Sequence, residues 1–348
     1  MSAPQAGIVS YGVYLPELCI STQLIAEAQG QARAPGLGVK QKTVPELDED
    51  TATISTAAAS QALARLGNKR EQITEQIGTL FVGSESHPYA VKPTGTMVAQ
   101  ALGLPHELAM ADLQFACKAG SQSLQIALTY VQAGQAAYGM AIGADTAQSA
   151  PGDALEYTAA AGGAAFVVGS SKVIAKLLGT ASYATDTPDF WRRPRQAFPQ
   201  HGGRFTGEPA YFKHIGGATK ALLKRCQLEP SDFQYAVFHT PNGKFPVSVA
   251  KRLGFSSEQL KYSLSVEMIG NTYAAASLIA LTNVLDNAQP GEKILVTSYG
   301  SGAGADSFAF ECTPEILSYQ QKITDTLTEQ IKRLQPITYT QYRQRSEG

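Results

Sequence analysis

The sequence predicts an α/β fold built as two similar halves, and three observations carry that expectation. Short apolar runs alternate with helical stretches, the links between them are short, and the pattern echoes itself at a nearly fixed offset. In chain order, Asp50 to Leu66 reads as a helix, Thr79 to Val82 as a buried strand, and Thr94 to Leu102 and Ser121 to Ala133 as helices. Strands are then expected at Tyr138 to Ile142 and Ala164 to Val168. A helix at Thr219 to Cys226, a strand at Ala236 to Phe238 and helices at Pro246 to Leu253 and Tyr273 to Asn287 follow. Strands at Lys293 to Thr297 and Ser307 to Phe310 close the pattern.

The echo is specific. Leu80-Phe-Val-Gly-Ser-Glu85 and Tyr235-Ala-Val-Phe-His239 are both short apolar strands ending in a group with acid-base capacity, and Glu85 and His239 lie 154 positions apart. Cys117 and Asn271 are separated by the same 154 positions, and each precedes a helix rich in small residues. Gly134 to Gly143 and Gly291 to Gly300 match at an offset of 157, the drift a short loop insertion produces. The expected halves are 1–170 and 171–348. If they pack about a pseudo-two-fold axis, equivalent strand ends and helix starts converge, making neighbours of Glu85, Cys117, His239 and Asn271.

Composition narrows the function. With 348 residues the chain can bury one large core or two moderate ones. A formal charge of −1 argues against bulk attraction to nucleic acid or an anionic membrane. The longest apolar stretch, Ala159 to Gly169, is about half of the roughly 20 residues a span needs, and the opening Met1-Ser-Ala-Pro-Gln-Ala has no basic or apolar leader region. Cys19, Cys117, Cys226 and Cys312 are scattered without disulfide density or metal spacing, so a reducing cytoplasm and no metal site are expected.

Cys117 is the candidate nucleophile. It sits where Asp112-Leu-Gln-Phe-Ala-Cys117 meets a helix whose Leu124, Ile126, Ala127, Leu128 and Val131 cover most of its circumference. A thiol at such a helix start meets unpaired N–H groups that favour thiolate and can hold an oxyanion. A lone cysteine before a helix can also simply pack, so both readings stand on this feature alone.

The ordered set of segments resembles the hydroxymethylglutaryl-CoA synthase branch of the thiolase superfamily, in its short archaeal-type form. The segments include Gly7-Ile-Val-Ser-Tyr-Gly-Val-Tyr-Leu-Pro16, Gly83-Ser-Glu85-Ser-His-Pro-Tyr, Phe115-Ala-Cys117-Lys-Ala-Gly120, Ile142-Gly-Ala-Asp145 and Asp189-Phe-Trp-Arg-Arg193. They continue with His201-Gly-Gly-Arg-Phe-Thr-Gly-Glu208, Phe238-His239-Thr-Pro-Asn-Gly-Lys244, Gly270-Asn271-Thr-Tyr and Tyr299-Gly-Ser301-Gly-Ala-Gly304. Three positions depart from the family pattern: a shortened Gln29 to Gly38 segment at the ligand entrance, Ser121-Gln-Ser after Cys117-Lys-Ala-Gly, and Thr240 in place of Gln.

The resemblance implies a thiolase fold, two pseudo-symmetric βαβαβαββ-type halves in α/β/α/β/α layers. It also implies condensation of acetyl-CoA with acetoacetyl-CoA on the mevalonate route to isoprenoids. Cys117 would carry the acetyl group, Glu85 would remove the methyl proton, and His239 would serve the acceptor ketone as acid or hydrogen-bond donor. Asn271 and Thr158 would contact the acyl chain. The N–H groups of Cys117 and of the Gly300-Ser301-Gly302 turn would form the oxyanion hole. Arg204, Thr206 and Lys244 would meet the CoA phosphates, with Arg192, Arg193 and Arg195 as additions, whereas His87, His106, His201 and His214 read as structural or exposed.

No cofactor beyond CoA thioesters is implied. The partners implied are a second copy of the chain, an acetoacetyl-CoA thiolase and a bridging OB-fold protein. Two rivals stand beside this reading. One is a chain-initiating ketoacyl synthase using Cys117, His239 and Asn271; the other is a catalytically idle thiolase-like scaffold, which has no chemical reason to keep Glu85, Cys117 and His239 together.

Overall fold

The computed structural model describes residues 5–146 and 149–346, so the opening Met1 to Pro4, on which the leader expectation partly rests, lies outside the described residues. Nine strands form the main ladder: β1 (Gly7–Tyr14), β2 (Ile77–Gly83), β3 (Ala109–Leu113), β4 (Tyr138–Asp145), β5 (Gly162–Gly169), β6 (Ala175–Ala184), β7 (Tyr235–Phe238), β8 (Lys293–Thr297) and β9 (Gly304–Cys312). Their order is β7-β8-β9-β6-β1-β5-β4-β2-β3.

Read outward from the centre, the order is the same on both sides. β6, β9 and β8 are antiparallel and β7 is parallel to β8; β1, β5 and β4 are antiparallel and β2 is parallel to β4. Among the described residues the two sets meet through two ladder pairs, Gly7 with Lys176 and Ile8 with Ala175. A Cβ on Gly7 would lie 2.3 Å from Ala175 O, so that close crossing needs glycine.

Six helices clothe the strands: α1 (Thr51–Ala64), α2 (Thr94–Leu102), α3 (Ala119–Gln132), α4 (Phe212–Cys226), α5 (Phe245–Arg252) and α6 (Ala276–Leu285). α1 packs on β1 and β5, and α4 packs on β6 and β9, each forming an outer layer. α3 and α6 lie between the two strand sets, where α6 is buried over almost its whole circumference. The central core therefore mixes both halves: Leu124 and Leu128 from α3 meet Leu278 and Leu281 from α6, Phe166 from β5 and Phe308 from β9. The result is the layered α/β/α/β/α arrangement, with the helix starts of α3 and α6 brought to one place.

The local reasons are plain in the chain. Asp50 starts α1 through a reciprocal capping box with Thr53. α4 begins at Phe212, two turns ahead of the expected Thr219, because Gly216-Gly217 does not end it; Gly217 packs so closely on the Tyr183 ring that a Cβ would lie 2.7 Å away. The helix expected over Tyr273 to Asn287 divides into a 3₁₀ turn at Tyr273–Ala275 and α6.

Candidate active site

The two helix starts use one backbone device. Ala116, with φ of 43°, precedes Cys117, and Gly270, with φ of 78°, precedes Asn271. These left-handed residues turn the chain sharply ahead of the side chain each presents. Asn271 is joined to the facing segment by its N–H bond to Thr158 O at 2.7 Å. Its Oδ1 accepts from the Tyr273 N–H at 3.0 Å, leaving the amide NH₂ as the group offered to a ligand.

Cys117, His239 and Asn271 line one cavity of about 330 Å³, together with Thr158, Arg204, Thr206 and Ser301. Leu37 of the shortened entrance segment and Phe245 of α5 complete its apolar side. Cys117 is 7% exposed and covered by Ala159, Tyr273 and Phe190. Lys244 stands outside the wall, exposed at the rim, with its Nζ near Gly36.

Arg192 is not on the wall of this cavity. Its guanidinium donates to Glu85 O at 3.2 Å and lines a separate recess with Ser84, Glu85, Ser86 and Trp191, because the Phe190–Trp191 strand carries it to the far side of Phe190. Arg193 and Arg195 are exposed and, like Lys244, off the cavity wall. His201, read as structural, does line the cavity; its Nδ1 accepts from Gly203 N–H and its Nε2 faces Asp153 at 3.3 Å.

Glu85 lies beside Cys117, near enough that the carboxyl and the thiol perturb each other's protonation. Burial and the neighbouring Asp145 carboxylate push the Glu85 carboxyl up to about 8, while Arg192 draws it down. Its Oε1 is buried without a hydrogen-bond partner among the described residues. Burial, then the Glu85 charge, raises the Cys117 thiol well above its usual range. The thiolate expected from the helix start is therefore not the resting form, since desolvation outweighs the helix end.

His239 is 1% exposed, and burial lowers its imidazole to about 3. Burial thus favours the neutral imidazole over the imidazolium. Its backbone is fixed by N–H donation to Thr297 O at 2.9 Å and by the Tyr211 hydroxyl on its carbonyl at 2.7 Å.

The glycine-rich turn offers fewer N–H groups than expected. Gly300 N–H donates to Gly304 O and Gly302 N–H to Asp189 Oδ1, both at 2.8 Å, which leaves the Ser301 N–H without an acceptor among the described residues. Asp189 also accepts from Tyr299 Oη and Thr187 Oγ1, clamping the turn from a buried position.

Asp145 closes the Ile142-Gly-Ala-Asp145 segment. It is fully buried; Oδ1 accepts from Ser84 Oγ, Ser86 Oγ and Glu85 N–H, and Oδ2 accepts from Ala274 N–H, 129 positions away. One carboxylate thus ties the Glu85 loop to the Asn271 loop. The Asp that ends this strand after Ile-Gly-Ala is visible in the sequence, but its partners become so only on folding.

Residues 223–312, which hold His239 and Asn271, match the family model of the 3-oxoacyl-[acyl-carrier-protein (ACP)] synthase III C terminal. The hydroxymethylglutaryl-CoA synthase of Methanocaldococcus jannaschii is 52% identical over 341 residues, spanning 97% of both chains. That of Methanopyrus kandleri is 51% identical over 97% of this chain and 96% of its own. The chain belongs to the hydroxymethylglutaryl-CoA synthase family.

Solved structures agree in fold. An HMG-CoA synthase complexed with CoA superposes with a TM-score of 0.88 at 22% identity, covering 98% of this chain and 90% of its own. MvaS in complex with 3-hydroxy-3-methylglutaryl coenzyme A gives 0.88 at 23% identity over 99% and 92%. Among the described residues no cluster has metal-ligand geometry, and no helix is long and apolar enough to cross a membrane.

Proposed function

We infer that the chain condenses acetyl-CoA with acetoacetyl-CoA and hydrolyses the enzyme-bound product to 3-hydroxy-3-methylglutaryl-CoA, the role its family fills in the mevalonate route. Beside the family relationship, the observation that carries the reading is that Cys117, His239 and Asn271 line one cavity with the Glu85 carboxyl next to the thiol. In the first step Cys117 Sγ attacks the acetyl carbonyl and the C–S bond to CoA breaks. Glu85 takes the thiol proton and passes it to the CoA thiolate, regenerating the carboxylate.

Glu85 then removes a methyl proton from acetyl-Cys117, and the enolate carbon bonds to the ketone carbon of acetoacetyl-CoA. A carboxyl near 8 is a stronger base than an ordinary glutamate, which suits this weakly acidic methyl. His239 hydrogen-bonds the developing alkoxide, and the proton that Glu85 removed balances the one the alkoxide gains. Water finally displaces Cys117, giving a carboxylate and releasing one proton. The thioester oxyanion in these steps falls to the N–H groups of Cys117 and Ser301.

Arg204 and Thr206 on the cavity wall, and Lys244 at its rim, are assigned to the CoA phosphates, and Thr158 to the acyl chain. The halves are assigned as 1–170 and 171–348, divided in the short link between β5 and β6. A homodimer, an association with acetoacetyl-CoA thiolase and an OB-fold protein, and a cytoplasmic site rest on the sequence reading; sedimentation at micromolar concentration tests the dimer.

The ketoacyl-synthase match over residues 223–312 favours one rival, decarboxylative condensation. Glu85 separates them, since loss of CO₂ generates a carbanion with no base. The deciding experiment follows loss of the acetoacetyl-CoA enolate absorbance on adding acetyl-CoA, with malonyl thioesters in parallel. Turnover of malonyl thioesters without loss of that absorbance overturns the inference.

A further inference from the structure

Lys118 follows the nucleophile directly, yet no step above uses it. It is 3% exposed, and its Nζ lies 2.9 Å from Asp306 Oδ2 on β9, an ion pair buried on both sides and joining positions 188 residues apart. Nζ also donates to Gln122 Oε1 at 2.5 Å and stands 4.2 Å from the centre of the Phe115 ring. Asp306 is held in turn by Ser121 Oγ at 3.0 Å on Oδ2 and Ser182 Oγ at 2.8 Å on Oδ1. Ser298, on the other side of the glycine-rich turn, bonds Ser121 Oγ at 2.5 Å and donates its N–H to Asp306 O at 2.9 Å.

This network brackets both parts of the oxyanion site. On one side is the Phe115 to Ser121 segment with Cys117 N–H; on the other is the Ser298 to Asp306 segment with Ser301 N–H. The two backbones touch without room for a methyl group: a Cβ on Gly300 would lie 2.3 Å from Phe115 O and 3.0 Å from Lys118 N. A Cβ on Gly304 would lie 3.2 Å from Lys118 Cε. Close contact alone resists compression but not separation. A charged link between the segments resists both.

We propose that the Lys118–Asp306 ion pair is a positioning device that sets the spacing of the Cys117 and Ser301 N–H groups across the junction of the two halves. It rests on the acetyl-transfer reading above. Donors preorganised around a developing oxyanion act through their fixed placement, so a small relaxation of one segment weakens transition-state stabilisation while leaving ligand binding in place.

The test separates placement from stability. Lys118→Met alone leaves Asp306 buried and unpaired, which destabilises the fold for reasons unrelated to the proposal. The double variant Lys118→Met/Asp306→Leu replaces both charges with apolar groups of similar volume; such exchanges are often neutral in stability. Ser121 keeps its bonds to Lys118 O and Ser298 Oγ there.

In the double variant the melting temperature and the CoA dissociation constant should stay near those of the unmodified protein. Acetylation at saturating acetyl-CoA should slow on the order of tenfold or more, short of the roughly 10²–10³-fold seen when a donor is removed outright. The infrared band of 1-¹³C-acetyl-Cys117, measured by isotope difference, should move to higher wavenumber as the carbonyl loses polarisation. A stable double variant with an unmoved band and unchanged acetylation rate overturns the positioning role alone. Failure of the unmodified protein to form any acetyl adduct overturns the functional reading and this inference with it.

Discussion

Glu85 and His239 occupy corresponding strand ends in the two halves, and burial acts on both with opposite sign. It raises the carboxyl to about 8 and lowers the imidazole to about 3, so each favours its neutral form at neutral pH. Their surroundings differ. Asp145 and Arg192 press on Glu85 from opposite directions, whereas burial is the influence that sets His239. In the proposed cycle, the base that must titrate is placed among charges that can tune it. The proposed donor, which must not titrate, is simply kept dry.

The largest effect should come from the group between them. Cys117→Ser should abolish the acetyl adduct seen by intact-protein mass spectrometry and cut condensation by about 10⁴-fold or more, as loss of a catalytic nucleophile commonly does. An adduct that persists on Cys19, Cys226 or Cys312 would remove Cys117 from the centre of the comparison.

Glu85→Gln should divide the cycle. The amide cannot take the methyl proton, so condensation should fall about 10²–10⁴-fold, while the acetyl adduct still accumulates, more slowly than in the unmodified protein. Condensation by the unmodified protein should rise with pH toward about 8, because only the carboxylate accepts a proton. Loss of that limb in Glu85→Gln assigns it; a limb that survives unchanged belongs to another group.

His239→Ala should reduce condensation by about 10²–10³-fold through loss of a donor to the alkoxide. Acetylation of Cys117 should be nearly unaffected, since the imidazole faces the second substrate. Rapid-quench measurement of both steps checks the split, and equal slowing of both would place His239 in the first step as well.

Much of this arrangement was legible because the chemistry recurs at a fixed offset. The 154-residue echo anticipated that Cys117, His239 and Asn271 share a cavity and that Glu85 meets Cys117. Apolar runs located β2, β4, β5, β7, β8 and β9, but not β1, β3 or β6. β1 is buried yet interrupted by Ser10, whose Oγ bonds Ala62 O and Tyr319 Oη, so its polarity makes sense only with partners 52 and 309 positions away. β3 is a partly exposed edge strand, and β6 alternates buried and open positions. Asp145, Asp189 and the Lys118–Asp306 pair stayed hidden for the same reason as Ser10: a buried polar group is explained by distant partners, and local pattern does not contain them.

The smallest effect sharpens the comparison most directly, because it reads the two burial shifts as stability. Between its unfolded pKa and about 8, Glu85 holds a proton in the folded state that the unfolded chain has released, so its contribution to stability falls as pH rises through that window. Between about 3 and its unfolded pKa near 6.5, His239 lacks a proton that the unfolded chain binds, so its contribution falls as pH drops. Glu85→Gln removes the first dependence and His239→Gln the second. Relative to the unmodified protein, Glu85→Gln should therefore gain melting temperature from pH 5 to pH 8, and His239→Gln should gain from pH 7 to pH 5, each by a few degrees. The slopes must have opposite sign. Parallel slopes would mean that one of the two groups is charged at rest, and the symmetry of two buried neutral groups flanking Cys117 would be lost.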